Sequence, residues 1–275
     1  MNQIRVSGWN DLQDKLFQGS WMPELQLYRS QCAFRGLSQA DYRLQASLFR
    51  LSGESADLER HLLRNFRKYA HRNVVERDST WHWLSVAQHH GLPTRLLDWT
   101  FSPYVAMHFA TANTEKFHLD GAIWAVDFVE THRYLPKALK LELEREGSDV
   151  FTVEMLSQVV ETLADFDALS THKFAVFFEP PSINDRIVNQ FALFSVTSNP
   201  RMALDNWLAE RPHLVRKIII PAGLKWEIRD KLDQANINER VLFPGLDGLS
   251  EWMKRQYSPR RKQGRGTQTA QACAE

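Results

Sequence analysis

The chain of 275 residues carries 34 Lys and Arg against 33 Asp and Glu, a formal net charge of +1, and is 43% hydrophobic, with nine Trp and sixteen Phe. That apolar content supports a substantial core and excludes a disordered chain, while the charge balance leaves no global field to draw the protein onto nucleic acid or an anionic membrane. Cys32 and Cys273 lie at opposite ends of the sequence and in no C-x-x-C pair, which argues against a disulfide framework and a zinc knuckle.

The start, "MNQIRVSGWNDLQ", has no apolar leader, and no later run approaches the roughly 18 apolar residues of a membrane span, so a cytoplasmic protein is expected. Residues 9–19 suit a short helix, and the alternation in "LQLYRSQCAFRG" (25–36) predicts a strand ending at Gly36. Residues 55–77 set Leu58, Leu62, Phe66, Tyr69 and Ala70 on one stripe, with Ser55 placed to cap and Asp57 and Glu59 in the first turn; a long helix is predicted. "STWHWLSVAQHHG" (79–91) predicts a second helix, because Gly91 suits the left-handed position beyond a helix end and Pro93 follows, which puts His89 and His90 in the last turn. "RLLDWT" (95–100) reads as extended, and Ser102-Pro103 as an N-cap and first residue of a helix through Val105, Ala106, Phe109 and Ala112.

Runs rich in Val, Ile and Phe at 121–129, 173–179, 191–197 and 215–221 predict strands, with helices at 135–146, 152–166, 200–210 (Pro200 at its first position), 224–235 and 247–256. The class is α+β with a mixed sheet. One domain spans 1–257, and residues 258–275, "RRKQGRGTQTAQACAE" for the most part, are expected to form a basic disordered tail.

Polar residues with chemical potential concentrate in "AQHHGLPTRLLDWTFSPYVAMHFAT" (87–111) and at Arg35. A guanidinium leaving a strand next to Gly36 suits a phosphate or carboxylate, since glycine permits close backbone approach; the bland alternative is an arginine that salt-bridges a neighbouring loop. Thr100 and Ser102 flank a helix start, where free N–H groups and the macrodipole favour an anion, although Ser102 also reads as a plain cap. His89 and His90 point about 100° apart on a helix and lack an H-x-x-x-H spacing, so hydrogen bonding suits them better than a metal.

The stretches "FRGLSQADYRLQASLFR" (34–50), "WHWLSVAQHHGLPTRLLDWTFSPYVAMHFA" (81–110), "RIVNQFALF" (186–194), "KIIIP" (217–221) and "LFPGLDGL" (242–249) together resemble the FRG-domain family, from about residue 25 to 255. Two positions depart from its pattern: Ala192 stands where the family usually has glycine, and Gly245 where it usually has aspartate, leaving Asp247 as the acid of that motif. A more distant resemblance is to NAD-dependent ADP-ribosyltransferases, which carry an Arg or His on an early strand, a hydroxyl-rich strand end leading into an A-x-x-F-A helix, and a late Glu or Gln. Arg35, "WTFSPYVAMHFA" and Gln190 occur here in that order.

This resemblance implies an α+β fold with an ADP-ribosyltransferase-like mixed or antiparallel sheet core and flanking helices, and NAD as substrate. It further implies a macromolecular acceptor, RNA, DNA or protein; a toxin or phage-defence effector; and an antitoxin or immunity protein as partner, with no membrane involved. The catalytic set it suggests is Arg35 and Gln190, with Glu179 or Glu239 replacing the usual glutamate; the NAD-binding set is Arg35, Gly36, His90, Thr94, Arg95, Asp98, Thr100 and Ser102. Two other functions fit the same residues. One is a non-enzymatic nucleotide or nucleic-acid binding module using Arg35, Arg95 and the helix end at Ser102; the other is a metal-dependent hydrolase or nuclease built on His89, His90, Asp98 and Asp247.

Overall fold

Most of the sheet is built from the β-branched and aromatic runs. In a computed structural model describing residues 2–51, 55–70 and 78–258, these runs join two short edge strands in one eight-stranded sheet. The strands are β1 (Asn2–Arg5), β2 (Trp21–Met22), β3 (Leu27–Tyr28), β4 (Cys32–Leu37), β5 (Leu97–Thr100), β6 (Gly121–Asp127), β7 (Phe151–Thr152), β8 (Ala175–Glu179), β9 (Ala192–Thr197) and β10 (Val215–Ile220). The sheet runs β1-β10-β6-β4-β5-β9-β8-β7, and β2-β3 stands apart as a hairpin. The two edge pairings, β1 with β10 and β7 with β8, are parallel; the inner pairings are antiparallel. The α+β class and the mixed sheet expected from the sequence are therefore observed.

The helices are α1 (Trp9–Phe17), α2 (Ser55–Ala70), α3 (Thr80–His89), α4 (Pro103–Ala110), α5 (Phe128–His132), α6 (Lys137–Glu146), α7 (Val153–Val159), α8 (Leu163–Ala168), α9 (Asp185–Asn189), α10 (Leu204–Ala209), α11 (Lys225–Gln234), α12 (Glu239–Leu242) and α13 (Leu246–Tyr257). Strand alternation sorts them onto two faces. On one, Phe34, Ile123, Ala125, Ile218 and Ile220 pack against Leu12 of α1, Ala106, Met107 and Ala110 of α4, and Ile228 of α11. The same face continues through Val176, Phe178, Phe194 and Val196 to Trp81 of α3 and Leu156 of α7. On the other, Trp99, Trp124, Phe177 and Leu193 pack against Phe128 of α5 and Leu204, Trp207 and Leu208 of α10.

Gly36 does not serve the purpose expected of it. A Cβ built there would meet the Ala106 carbonyl oxygen at 1.8 Å and the Ala110 nitrogen at 2.7 Å, so the glycine admits the backbone of α4 rather than a ligand. The strand also runs on to Leu37 instead of stopping at Gly36, and residues 25–31 form the end of the β2-β3 hairpin, where Gln26 has φ 50, in place of one long strand. The helix expected over 152–166 divides into α7 and α8, because the Thr162 hydroxyl accepts from the Asp165 N–H and starts a new helix. The helix expected at 200–210 begins only at Leu204, so Pro200 is not its first residue. β6 stops at Asp127, whose carboxylate accepts from the Glu130 N–H and caps α5. The predicted helix ends at 71–77, and the tail at 259–275, lie outside the described residues, as do the Ser55 and Asp57 side chains.

Candidate functional site

The sheet is weakly closed at its centre. β4 and β5 share one register pair, Phe34 with Thr100, and Arg35 stands just beyond it. Its Nη1 donates to the Asp98 carbonyl, filling a place that a ladder N–H would otherwise take, and lies 3.7 Å from Asp98 Oδ2. From there a chain of polar contacts runs into α3: Gln88 Nε2 donates to Asp98 Oδ1 at 2.9 Å, the Thr94 hydroxyl donates to Gln88 Oε1, and the Leu96 N–H donates to Thr94 Oγ1 at 3.0 Å. So Arg35, Asp98 and Thr94 are brought together, through a glutamine that sequence reasoning passed over. Burial pushes the Arg35 guanidinium below its ordinary value, opposed by Asp98, and its Nε is buried with no hydrogen-bond partner.

Thr100, Ser102 and Gln190 also meet, as scaffolding. The Thr100 hydroxyl donates to the Gln190 carbonyl at 2.7 Å and accepts from the Ser102 N–H at 3.0 Å, while Ser102 Oγ accepts from the Val105 N–H and caps α4. The Gln190 amide donates to the Leu242 carbonyl at 2.8 Å, beside Asn189, which donates to the Val241 carbonyl. Since directly paired residues share a face, Thr100 lies with Phe34 on the α4 side and Arg35 belongs to the opposite side. Its guanidinium meets Asp98 through the gap between the strands.

Two residues assigned to ligand or catalysis are held in ion pairs instead. Arg95, its side chain 3% exposed, binds Glu59 at 2.6 Å and Asp167 at 2.6 Å, tying α2 and α8 to the start of β5. Glu239 accepts from Arg255 through both oxygens at 2.8 Å, which holds its carboxyl below the ordinary range and locks α12 to α13. Both arrangements are stronger uses of charge than a solvated cleft would allow. His90 is exposed and its ring makes no hydrogen bond among the described residues; Asp247 is exposed in the first turn of α13. Among the described residues no group of three or more His, Cys, Asp or Glu could hold a metal ion, so His89, His90, Asp98 and Asp247 do not form one centre.

Glu179 differs from Glu239. It ends β8, makes no hydrogen bond or ion pair among the described residues, and burial raises its pKa. Continuing the register from Phe34–Thr100 and Phe178–Phe194 gives the row Arg35, Trp99, Leu193, Glu179 across β4, β5, β9 and β8, all on one face. Three interstrand spacings of about 4.8 Å separate the ends of that row by about 14 Å along the sheet. Two further groups border the opening stretch. Asn184 Nδ2 donates to His89 Nε2 at 2.6 Å, and burial, then Arg186, lowers His89 to about 4, so its ring is neutral. Arg186 has its guanidinium 4.9 Å from the Phe243 ring centroid and a buried Nε with no partner. Its place in "RIVNQFALF" was the available signal.

Among the described residues no helix is long and apolar enough to cross a membrane. No curated protein and no solved structure matches the chain. Residues 30–118, from the approach to β4 through α4 and the loop that follows, match the family model described as the FRG domain. This segment contains Arg35, Gly36 and the whole chain of contacts from Asp98 to Thr94, and over it the protein carries an FRG domain.

Proposed function

We propose that the protein transfers ADP-ribose from NAD to a macromolecular acceptor, with Arg35 binding the phosphates and Glu179 acting at the reacting ribose. The observation that carries this reading is the row across the sheet, polar at its two ends, with Trp99 and Leu193 buried between them against Phe128 and α10. A guanidinium with an unused buried N–H stands at one end, and an unpaired carboxylate of raised pKa on the same face at the other. Gln190 and Glu239 have no part in it, because each is committed to a structural partner.

In such a reaction the bond between nicotinamide and ribose breaks, nicotinamide leaves with the bonding pair, and the acceptor nucleophile bonds to the ribose carbon. A carboxylate beside that carbon stabilises the developing positive charge and takes the proton the nucleophile loses. Arg35 fixes the phosphates so that the ribose is presented in one orientation, which converts binding into positioning. The raised pKa of Glu179 makes it a better proton acceptor than an exposed carboxylate. A transferase of this kind suits a toxin or phage-defence effector, for which an antitoxin or immunity protein is the corresponding partner.

Incubation with NAD and a cell extract as acceptor source tests the reading. Nicotinamide release and label from the adenylate half appearing on protein or nucleic acid are expected, with Glu179→Gln reducing both by about 10²-fold. A wild-type protein that binds NAD but leaves it intact in every extract would favour the binding-module reading, in which Arg35 only holds a phosphate.

A further inference from the structure

The register row that contains Arg35 continues in the other direction. Arg35 pairs with Trp124 on β6, Trp124 with Lys217 on β10, and Lys217 with Gln3 on β1, so the four side chains stand abreast on one face. Three of them carry unused donors. Arg35 Nε and Trp124 Nε1 are buried without a hydrogen-bond partner, and Lys217, only 9% exposed, makes no hydrogen bond or ion pair among the described residues. Lys217 Nζ lies 4.8 Å from the Trp124 ring centroid, a contact that steadies a cation but satisfies none of its three donors. A buried donor without an acceptor destabilises the fold, and an incoming acceptor relieves that penalty.

Beside Lys217 a cavity of about 520 Å³ opens, lined by Gln3, Arg5, Ala40, Asp41, Lys217 and Ile219. Its charges are unevenly committed. Arg5 is paired with Asp120, and Asp205, which attracts Lys217 from α10, is itself paired with Arg43 at 2.9 Å. Asp41 is exposed at the rim and also attracts Lys217. Of the buried donors, Lys217 lines the cavity, while Trp124 and Arg35 follow it along the row without lining it, and the carboxylates lie at the cavity's edge.

We infer that Lys217, Trp124 and Arg35 form a donor strip that binds a diphosphate group, seated from the cavity toward the opening beside β5. The spacing selects this ligand chemistry. Arg35 and Lys217 are two strand spacings apart, about 10 Å at the backbone, and flexible side chains bring their heads nearer. A lone carboxylate spans one donor of such a strip, whereas a diphosphate offers oxygen acceptors along it, and lysine and arginine are the usual partners of phosphate. That the diphosphate belongs to NAD rests on the transferase reading; the strip itself rests on the geometry.

The test is binding of inorganic pyrophosphate to the full chain by calorimetry, with no NAD present. Wild type is expected to bind, Lys217→Met and Trp124→Phe are each expected to weaken binding about 10-fold, and Lys217→Arg to restore most of it. Trp124→Phe keeps an aromatic ring beside Lys217 and removes the Nε1 donor together with part of the buried indole, so its binding is compared only at matched stability. In wild-type protein, pyrophosphate should also slow amine labelling at Lys217, read by peptide mass spectrometry, which keeps the test intact if a variant fails to fold. Absence of pyrophosphate binding at millimolar concentration, equal binding by folded Lys217→Met and Trp124→Phe, or unchanged labelling of Lys217 overturns the inference. Pyrophosphate binding without nicotinamide release from NAD would sink the transferase reading and leave the strip standing.

Discussion

Replacing Gly36 by alanine isolates the reason for the glycine. The new Cβ would lie 1.8 Å from the Ala106 carbonyl oxygen and 2.8 Å from its carbonyl carbon, where real contacts begin near 3.0 Å. α4 must therefore withdraw by about 1 Å or more, separating Ala106, Met107 and Ala110 from Phe34 and Ile123. Overpacking of this kind costs about 3 kcal/mol, the upper part of the usual range, because the obstacle is backbone and no side chain can turn aside. In a chain of this size that corresponds to a fall of about 6–12 °C in Tm. Urea unfolding and thermal scans of Gly36→Ala and Gly36→Ser measure it, and truncating Met107, a side chain of the same helix, should not rescue either. A Gly36→Ala protein as stable as wild type, with impaired ligand binding alone, would refute the reasoning and return Gly36 to the ligand.

Arg95→Met should destabilise by about 3–5 kcal/mol by stranding the buried Glu59 carboxylate, and Arg95→Met with Glu59→Met should recover most of the loss; urea midpoints decide this, and an equal loss in both would show that charge is not the cause. His108 and His132 titrate at about 3 and about 4 in the folded chain, in each case chiefly through burial, against 6.5 when free. The unfolded chain alone binds their protons between those values. Stability is therefore full above about pH 6.5 and falls as pH drops toward 4, by up to about 1.4 kcal/mol per pH unit for each histidine. Urea midpoints that stay constant from about pH 7 to about pH 5 would contradict it. Deleting residues 259–275, which offer no apolar stripe, should move Tm by less than about 2 °C, and a larger fall would show that the segment packs.

The elements legible in the sequence were those with a full period and chemical stops. α3 ends at His89 before Gly91, whose φ is +80, and α4 starts at Pro103 behind the Ser102 cap, both as the residue pattern dictates. The edge strands β1 and β7 were missed because four and two residues are too few to show alternation. The candidate site was legible as a set of residues and not as a set of roles. Arg35 and Asp98 do meet, and Thr100 does meet Gln190, but a sequence cannot tell that Arg95 is consumed by Glu59 and Asp167, or Glu239 by Arg255, since those partners lie far along the chain. Lys217 and Trp124 were invisible for the same reason: only strand register puts them beside Arg35.

The division of labour along the opened row is tested most directly by steady-state kinetics of Glu179→Gln with NAD as the varied substrate. The substitution keeps shape and hydrogen-bonding reach and removes only the charge and basicity. If Glu179 serves the reacting ribose as proposed and not the phosphates, kcat falls by about 10²-fold with KM for NAD changed little. A folded Glu179→Gln enzyme that releases nicotinamide at the wild-type kcat would contradict it.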